Sequence, residues 1–151
     1  MNTASIALAI VGLVAASLPT SFGQTAYTVH STMLPFFEAW NACIASGGYL
    51  AAPETSLQND LIWATIKKAE ITGAVWLSGT DIGMEGSWIW LSKNVPLGRL
   101  AGYDNFAAGE PNNMGSNNIE ENCLNIGHFG SSKWNDASCS LAFPYVCEFK
   151  K

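Results

Sequence analysis

Four cysteines constrain the possible folds of this chain more than any other feature of its sequence. They are Cys43, Cys123, Cys139 and Cys147. No two are spaced as Cys-x2-Cys, and the two histidines lie far from any zinc-finger arrangement, so a structural zinc site is not indicated. We therefore predict two disulfides. Four cysteines can pair in three ways, and their spacing alone does not select one of them.

The first 23 residues have the pattern of a secretory signal peptide, which in turn indicates an extracellular location. They contain no charged side chain, and residues 6–16 form an unbroken run of eleven apolar or small residues that precedes Pro19. Such a run is too short to span a bilayer and is typical of a secretory signal peptide, here cut near Gly23. The alternative is a buried N-terminal helix or strand. We expect a signal peptide at residues 1–23, no membrane span in the rest of the chain, and a secreted, extracellular mature protein in which disulfides form.

The composition of the 151-residue chain predicts one globular domain that does not bind nucleic acid. Hydrophobic residues make up 48% of the chain and charged residues 13%, which excludes intrinsic disorder as its main state. Seven basic residues against twelve acidic ones give a formal charge of -5. The basic surface that a nucleic acid needs is therefore missing.

Apolar spacing predicts two helices in the first half of the domain. Between Pro35 and Gly47, apolar residues recur at helical spacing and the pattern stops at a glycine pair. Thr55 and Gln58 form a capping-box signature, so a second helix is expected from there to near Gly73. The expected buried face of this second helix consists of Leu57, Leu61, Ile62, Ile66 and Ala69.

Short strands are expected at residues 49–52, 74–78, 88–91 and 145–149, where β-formers cluster. The expected core tryptophans are those at positions 63, 76, 88, 90 and 134. Residues 93–133 are rich in Gly, Asn, Ser and Pro and predict a long irregular loop. A loop of this length in a compact domain is usually functional and tied down.

Three oxygen-rich segments in or near this loop indicate a cation site. They are Glu-Pro-Asn at residues 110–112, the Glu120-Glu121 pair, and Trp-Asn-Asp at residues 134–136. A single exposed acid is usually only a solvated charge, but here each segment is fixed by a proline or a nearby cysteine. Carboxylate and amide oxygens without His or Cys are the ligands that Ca2+ prefers, and Ca2+ tolerates irregular geometry better than Mg2+ does. We therefore predict Ca2+ as the cofactor.

Residues 27–150 combine motifs that resemble one known family, the C-type lectin-like domain of the short form. These motifs are Phe-Glu-Ala-Trp at 37–40, Gly-Tyr-Leu-Ala at 48–51, Val-Trp-Leu-Ser-Gly at 75–79, the acidic and Trp positions within 80–88, and the segments 110–112 and 134–136. The resemblance implies an α+β fold in which two helices flank small antiparallel sheets and a long calcium-binding loop carries the site. It also implies the nested disulfides Cys43–Cys147 and Cys123–Cys139.

The same resemblance assigns site residues. In the family, the bond before the motif's proline, here Pro111, is cis, which directs the two flanking side chains at one metal. The loop from 114 to 120 holds extra residues, so Glu120 remains an alternative to Glu121 as a ligand. The implied ligands of the calcium that holds the sugar are Glu110, Asn112, Glu121, Asn135 and Asp136, and the implied sugar contacts are these five and Met114. A second calcium would be held by Asp81, Glu85, Asn113, Glu121 and Asn122.

By resemblance, the implied function is calcium-dependent carbohydrate binding. Glu-Pro-Asn is typical of mannose-type members, which bind glycans with equatorial 3- and 4-hydroxyls, such as mannose or N-acetylglucosamine, or fucose in an equivalent orientation, on microbial or host surfaces, as in innate immune recognition. No nucleophile elbow, phosphate loop or His-Glu-x-x-His motif is present, so we expect no enzymatic activity. The alternative is a protein-interaction module, a ligand or an inhibitor, in which sugar binding is incidental.

Overall fold

The computed structural model of the protein describes residues 24–150, and the signal peptide expected at residues 1–23 lies outside them. Two α-helices, eight strands and one short 3₁₀ turn make up this part of the chain. In chain order they are β1 (Thr25–Leu34), α1 (Phe36–Ala45), β2 (Tyr49–Leu50), α2 (Ser56–Lys68), β3 (Val75–Thr80), β4 (Ile89–Trp90), β5 (Val95–Pro96), the 3₁₀ turn (Ser116–Asn118), β6 (Cys123–Ile126), β7 (Trp134–Ala137) and β8 (Phe143–Lys150).

Both predicted helices form, and their starts follow the local signals. Helix α1 begins directly after Pro35, and the turn after it contains Gly47 at a φ of +82°, a conformation that favours glycine. At the start of α2, the Thr55 hydroxyl accepts a hydrogen bond from the Gln58 backbone N–H at 3.2 Å. The Gln58 side chain accepts in return from the N–H of Glu54, one residue earlier than in the usual capping box.

The prediction for α2 is wrong in its end and in part of its buried face. The helix ends at Lys68 rather than near Gly73. Ile62 and Ile66 are buried as expected, but Leu57, Leu61 and Ala69 are exposed. The third buried position is Asn59, whose side-chain oxygen accepts from the Trp134 indole N–H at 2.8 Å. This buried hydrogen bond places Asn59 toward the core and turns the two leucines outward.

The strands form one mixed sheet. Strands β1 and β8 pair antiparallel along most of their length, so the two ends of the domain lie side by side. Strand β3 pairs antiparallel with β4 and β6, and β6 pairs antiparallel with β7. Where only antiparallel pairing was expected, β3 and β8 run parallel through the Trp76–Tyr145 pair. The α+β class with two helices is confirmed.

Four strands were not predicted. Strand β1 lies before the first predicted element, β5 and β6 lie inside the segment 93–133 that was expected to be irregular, and β7 follows directly after that segment. The predicted disulfides are both present: Cys43–Cys147 joins α1 to β8, and Cys123–Cys139 joins β6 to the segment after β7. Four of the five expected core tryptophans are buried, and Trp63 is half-buried against the core. Among residues 24–150, neither helix has the length and apolarity that crossing a membrane requires.

Candidate functional site

The long segment between β5 and β6 is fastened to β7, and this attachment positions the site. The N–H of Ala107 donates to the Trp134 carbonyl at 2.9 Å, and the N–H of Trp134 donates to the Asn105 carbonyl at 3.0 Å. The Trp134 ring is fully buried and packs edge-on against Phe106. The loop that carries Glu110 is thereby held beside the strand that carries Asn135 and Asp136.

Asp136 joins the loop to the strand through its side chain. The carboxylate is fully buried, and its Oδ2 accepts from the backbone N–H groups of Asn112 at 3.0 Å and Asn113 at 2.7 Å. The peptide bond between Glu110 and Pro111 is cis, as the resemblance implied. Glu110, Asn112, Asn113 and Asp136 are therefore brought together at one end of the domain.

The second half of the loop returns to the same place. The Asn113 side-chain oxygen accepts from the Glu121 N–H at 2.7 Å, and the Asn112 side-chain oxygen accepts from the Met114 N–H at 2.7 Å. Between these points, the N–H of Gly115 donates to the Ile119 carbonyl at 3.0 Å. Glu121 is therefore held in the same cluster.

Gly115 is a site residue that the sequence did not single out. A Cβ on this residue would lie 2.5 Å from the Ile119 carbonyl oxygen and 3.2 Å from the Glu121 Cγ. A side chain there would clash with the returning segment and displace Glu121 from the cluster. The available signal was the glycine itself, in the Asn-rich stretch that lengthens the loop.

Burial and neighbouring acids raise the pKa values of two carboxylates in this cluster, Glu110 and Glu121. Burial raises the pKa of Glu110 to about 7, with further contributions from contact with Asp136 and from the charge of Glu121. Burial and the charge of Asp136 also raise the pKa of Glu121. Both shifts come first from loss of solvent and then from neighbouring negative charge, and a bound cation would oppose both effects.

Asn135 and Met114 lie at the edge of this arrangement. Asn135 is buried on β7, and its side-chain NH2 group donates to the backbone carbonyl of Asp136. Met114 is 77% exposed at the tip of the loop, beside Asn112. The exposed position leaves the Met114 side chain accessible to a ligand.

The residues of the second implied calcium site lie next to this cluster. Asp81, at the end of β3, is buried, and its Oδ2 accepts from the Gly86 N–H at 2.8 Å. Glu85 is exposed, and desolvation together with the charges of Asp81, Asp136 and Glu120 raises its pKa. The backbone carbonyl of Asn122 accepts from the N–H of Asp81 at 3.3 Å.

The adjacent acids Glu120 and Glu121 lie near different groups of site residues. Desolvation is the main cause of the raised pKa values of Asp81 and Glu85, and the Glu120 charge adds to both, while the Glu120 carboxylate accepts from the Asn122 side chain at 3.4 Å. The charge of Glu121, in contrast, adds to the raised pKa of Glu110, which burial mainly causes. Glu121 thus lies with the first group of residues and Glu120 with the second.

The donor set fits a hard cation held by mixed carboxylate and amide oxygens. Within residues 24–150, no group of three or more His, Cys, Asp or Glu side chains is arranged so that it could hold a metal ion alone, so a cation here would need amide oxygens as well. Two carboxylate oxygens, Asp81 Oδ1 and Glu110 Oε2, are buried and lack a hydrogen-bond partner within the described part of the chain. Burying such atoms without a partner is costly. Calcium accepts both carboxylate and amide oxygens as ligands, so a bound calcium ion would give such atoms a partner.

The fold and the site agree with a comparison of the sequence with protein families. The family described as "Lectin C-type domain" matches residues 32–149. The chain belongs to the C-type lectin family. This membership confirms the prediction that the protein is a binding module and not an enzyme.

Individual relatives share the domain within longer proteins. The chain is 35% identical over 114 residues to pulmonary surfactant-associated protein D of Sus scrofa, a match that covers 76% of this chain and 28% of that protein. It is 33% identical over 115 residues to tetranectin of Bos taurus, covering 76% of this chain and 54% of tetranectin. The chain therefore spans between about a quarter and half of the length of these relatives.

Solved structures support the same architecture. The C-type carbohydrate-recognition domain of cow CD23, solved in the presence of a GlcNAc2Man3 oligosaccharide, superposes with a TM-score of 0.70 at 28% identity and covers 89% of this chain and 97% of that one. A calcium-independent type II antifreeze protein superposes with a TM-score of 0.68 at 21% identity, covering 85% of this chain and 88% of that one, which shows only the shared fold.

Proposed function

We propose that this protein is a secreted, calcium-dependent lectin that recognises mannose-type glycans. Residues 27–150 would form the carbohydrate-recognition domain, and residues 1–23 a signal peptide. The observation that carries the proposal is the convergence of Glu110, Asn112 and Glu121 around the buried Asp136, with a Glu110 oxygen that has no partner. Membership of the family supports it, as does the likeness to the cow CD23 domain that was solved in the presence of an oligosaccharide.

The calcium that binds the sugar would be held by Glu110, Asn112, Glu121, Asn135 and Asp136. A second calcium would be held by Asp81, Glu85, Asn113, Glu121 and Asn122, with Glu120 close to it. Asn113 and Asn122 are neutral amides, so this second site has less negative charge and should bind calcium more weakly. Asn113 already accepts the Glu121 N–H, but a carbonyl oxygen has a second lone pair available.

The side chains around the ion match the hydrogen-bonding capacity of a sugar diol. When bound, Ca2+ supplies coordination to two neighbouring hydroxyl oxygens. Each hydroxyl has one proton to donate and a lone pair left to accept with. The carboxylates of Glu110 and Glu121 accept those protons, while the NH2 groups of Asn112 and Asn135 donate to the lone pairs. Every polar atom of the diol then has a partner.

The order of the two groups that flank Pro111 would set the sugar preference. An acid before the proline and an amide after it places an acceptor and a donor in a fixed order, and this order resembles that of members that bind equatorial 3- and 4-hydroxyls. We therefore propose mannose and N-acetylglucosamine as the sugars bound, with fucose in an orientation that presents an equivalent diol, and Met114 as a side chain that packs against the ring. Galactose, with an axial 4-hydroxyl, would be disfavoured.

Affinity chromatography tests the proposal directly. The protein should be retained on mannose-agarose in calcium and released by EDTA, and Asp60→Asn, which removes an exposed acid from α2, should behave the same way. The double variant Glu110→Gln/Asn112→Asp should shift retention from mannose toward galactose. The proposal would be refuted if EDTA did not change retention, or if the protein bound other proteins but no sugar. Either result would favour the protein-interaction alternative.

The biological setting that fits such a site is recognition of clustered glycans on microbial or host surfaces, as in innate immunity. A single sugar buries little area, so one site should bind weakly and clustered glycans should bind more strongly. A glycan array probed with and without calcium would identify the preferred structures. Binding restricted to sugars without equatorial 3- and 4-hydroxyls would contradict this assignment.

A further inference from the structure

Helix α2 buries an asparagine where the sequence pattern predicts leucines. Asn59 is 2% exposed, whereas Leu57 and Leu61 on the same helix are 68% and 49% exposed. Burying an amide costs free energy unless its polar atoms have partners. Both ends of the Asn59 amide have one: Oδ1 accepts from the Trp134 indole Nε1 at 2.8 Å, and Nδ2 donates to the Ser132 carbonyl at 3.3 Å. Asn59 therefore joins α2 to the segment that leads into β7.

Trp134 is connected to both halves of the proposed calcium site. Along the chain it directly precedes Asn135 and Asp136 on β7. Across the chain, its carbonyl accepts the N–H of Ala107 at 2.9 Å, and the carbonyl of Ala107 in turn accepts the N–H of Glu110 at 3.0 Å. A change in the position of Trp134 would therefore be passed to proposed ligands on both sides of the ion.

The Ser132 carbonyl is a second point at which α2 meets the loop that carries the site. The side-chain NH2 group of Asn105 donates to this same oxygen at 2.7 Å, so amides from two separate segments converge on it. The backbone carbonyl of Asn105 accepts the N–H of Trp134 at 3.0 Å. The hydrogen bonds of Asn59, Asn105 and Trp134 thus form one connected group that joins α2, β7 and the segment between β5 and β6.

The hydrogen bond to Asn59 selects one orientation of the Trp134 ring. The indole packs edge-on against Trp90, Tyr103 and Phe106, with ring centroids 5.5, 5.6 and 5.7 Å apart. Apolar burial is largely non-directional, whereas a hydrogen bond requires one atom at a defined distance and angle. Without Asn59, the ring would stay buried but would lose the contact that fixes its indole edge.

We propose that Asn59 is a positioning residue for the calcium site and acts through Trp134. It holds Trp134 and Ser132 where they place Glu110 beside Asn135 and Asp136, and it thereby raises the calcium affinity of the folded protein. This inference rests on the proposed function. It adds that a buried residue of α2, outside the long loop, contributes to calcium affinity.

Calorimetric titration with calcium, at a temperature at which every variant is fully folded, tests this role. Asn59→Leu removes both hydrogen bonds of the side chain, and Trp134→Phe removes the indole N–H at the other end of one of them. Residues that bond directly to metal ligands change metal affinity about 10- to 100-fold, and Asn59 acts through one more residue, so each variant should bind calcium about tenfold more weakly.

Trp76→Phe is the matched control. It removes another buried indole hydrogen bond, of 2.9 Å to the Leu34 carbonyl, which joins β3 to β1 and not to the loop. In chelator, Trp76→Phe and Trp134→Phe should lower Tm by similar amounts, but Trp76→Phe should keep the wild-type calcium affinity. If Asn59→Leu fails to fold, the comparison of these two variants still decides, because Trp134→Phe breaks the same hydrogen bond.

A double variant shows whether Asn59 and Trp134 act as one unit. Asn59→Leu/Trp134→Phe should bind calcium about tenfold more weakly than the wild-type protein, as either single variant does, and not about 100-fold more weakly as two independent effects would. A residue that only stabilises the fold would not produce this result, because a loss of stability leaves the calcium affinity of a fully folded protein unchanged.

The possible failures are distinguishable. If the wild-type protein binds calcium and Asn59→Leu binds it equally well, the positioning role is refuted and the proposed function stands. The same conclusion follows if Trp76→Phe weakens calcium binding as much as Trp134→Phe does, or if the effects in the double variant multiply. If the wild-type protein binds no calcium, the proposed function fails, and the positioning role fails with it.

Discussion

Replacing Asp136 with Asn separates the structural part of the site from its binding of calcium. The variant keeps an oxygen that can accept the N–H groups of Asn112 and Asn113 but loses the negative charge. Hydrogen bonds to a charged group contribute about 1.5–3 kcal/mol against about 1 kcal/mol for neutral ones, so two weakened bonds cost about 1–4 kcal/mol. Removing the like charge beside Glu110 offsets part of this loss. In chelator we therefore expect only a modest loss of stability.

In calcium the same variant should behave very differently. Mutating residues that merely support a metal ligand lowers metal affinity about 10- to 100-fold, so losing a direct ligand should cost at least about 100-fold. At a calcium concentration 100 times the dissociation constant, the wild-type protein is stabilised by about 2.7 kcal/mol, and a variant with 100-fold weaker binding by about 0.4 kcal/mol. For a domain of this size, these values correspond to shifts in Tm of about 10 °C and about 2 °C.

Thermal unfolding followed by circular dichroism, with and without calcium, measures both quantities. Asp60→Asn, which removes an exposed acid from α2, is the matched control and should keep the full calcium shift. A variant at Asp136 that keeps the wild-type calcium shift would refute the assignment of this carboxylate as a ligand.

Three further predictions follow from the packing and the charges. In chelator, Tm should rise as pH falls from about 7.5 to about 5, because folding raises the pKa of Glu110 to about 7 and the folded state therefore binds a proton more readily than the unfolded state. In calcium the trend should reverse, because the ion requires the ionised carboxylate. Removing the Cys43–Cys147 disulfide with two alanines should cost about 4.7 kcal/mol in chemical denaturation, since it closes a loop of 104 residues. Gly79→Ala should lose about 1–3 kcal/mol of stability by overpacking, because its Cβ would lie 2.7 Å from Leu124 Cδ1.

Each of these predictions has its own control. A pH trend of the same sign with and without calcium would contradict the role given to Glu110. Removing Cys123–Cys139, which closes a loop of only 16 residues, should cost less, about 3 kcal/mol; an equal or larger loss would overturn the ranking. Gly83→Ala, where a Cβ meets nothing within 4 Å, should be nearly neutral, and a loss equal to that of Gly79→Ala would argue against the clash.

Local signals in the sequence predicted the helices well and several of the strands poorly. The capping pair Thr55 and Gln58 acts over three residues, so it can be read without knowing the fold. Strand β1 instead depends on its pairing with β8, more than a hundred residues away. Strand β6 was hidden because Asn125, a poor strand former, lies fully buried within it.

The candidate site was predicted in its residue types and not in its internal connections. The resemblance placed Glu110, Asn112 and Asp136 together, and the structure brings them together. The sequence did not predict that the Asp136 carboxylate accepts two backbone N–H groups of the loop, because that contact joins segments 23 and 24 residues apart. It also left Glu120 and Glu121 as alternatives, because the folding of the lengthened loop decides which acid lies near Glu110 and which lies near Asp81.

A crystal structure of the protein with calcium and methyl α-mannopyranoside tests the central claim most directly. The account predicts one ion bonded to oxygens of Glu110, Asn112 and Glu121, with two neighbouring hydroxyls of the sugar completing its coordination. An ordered loop in ample calcium with no ion among these side chains, or a sugar bound away from them, would contradict it.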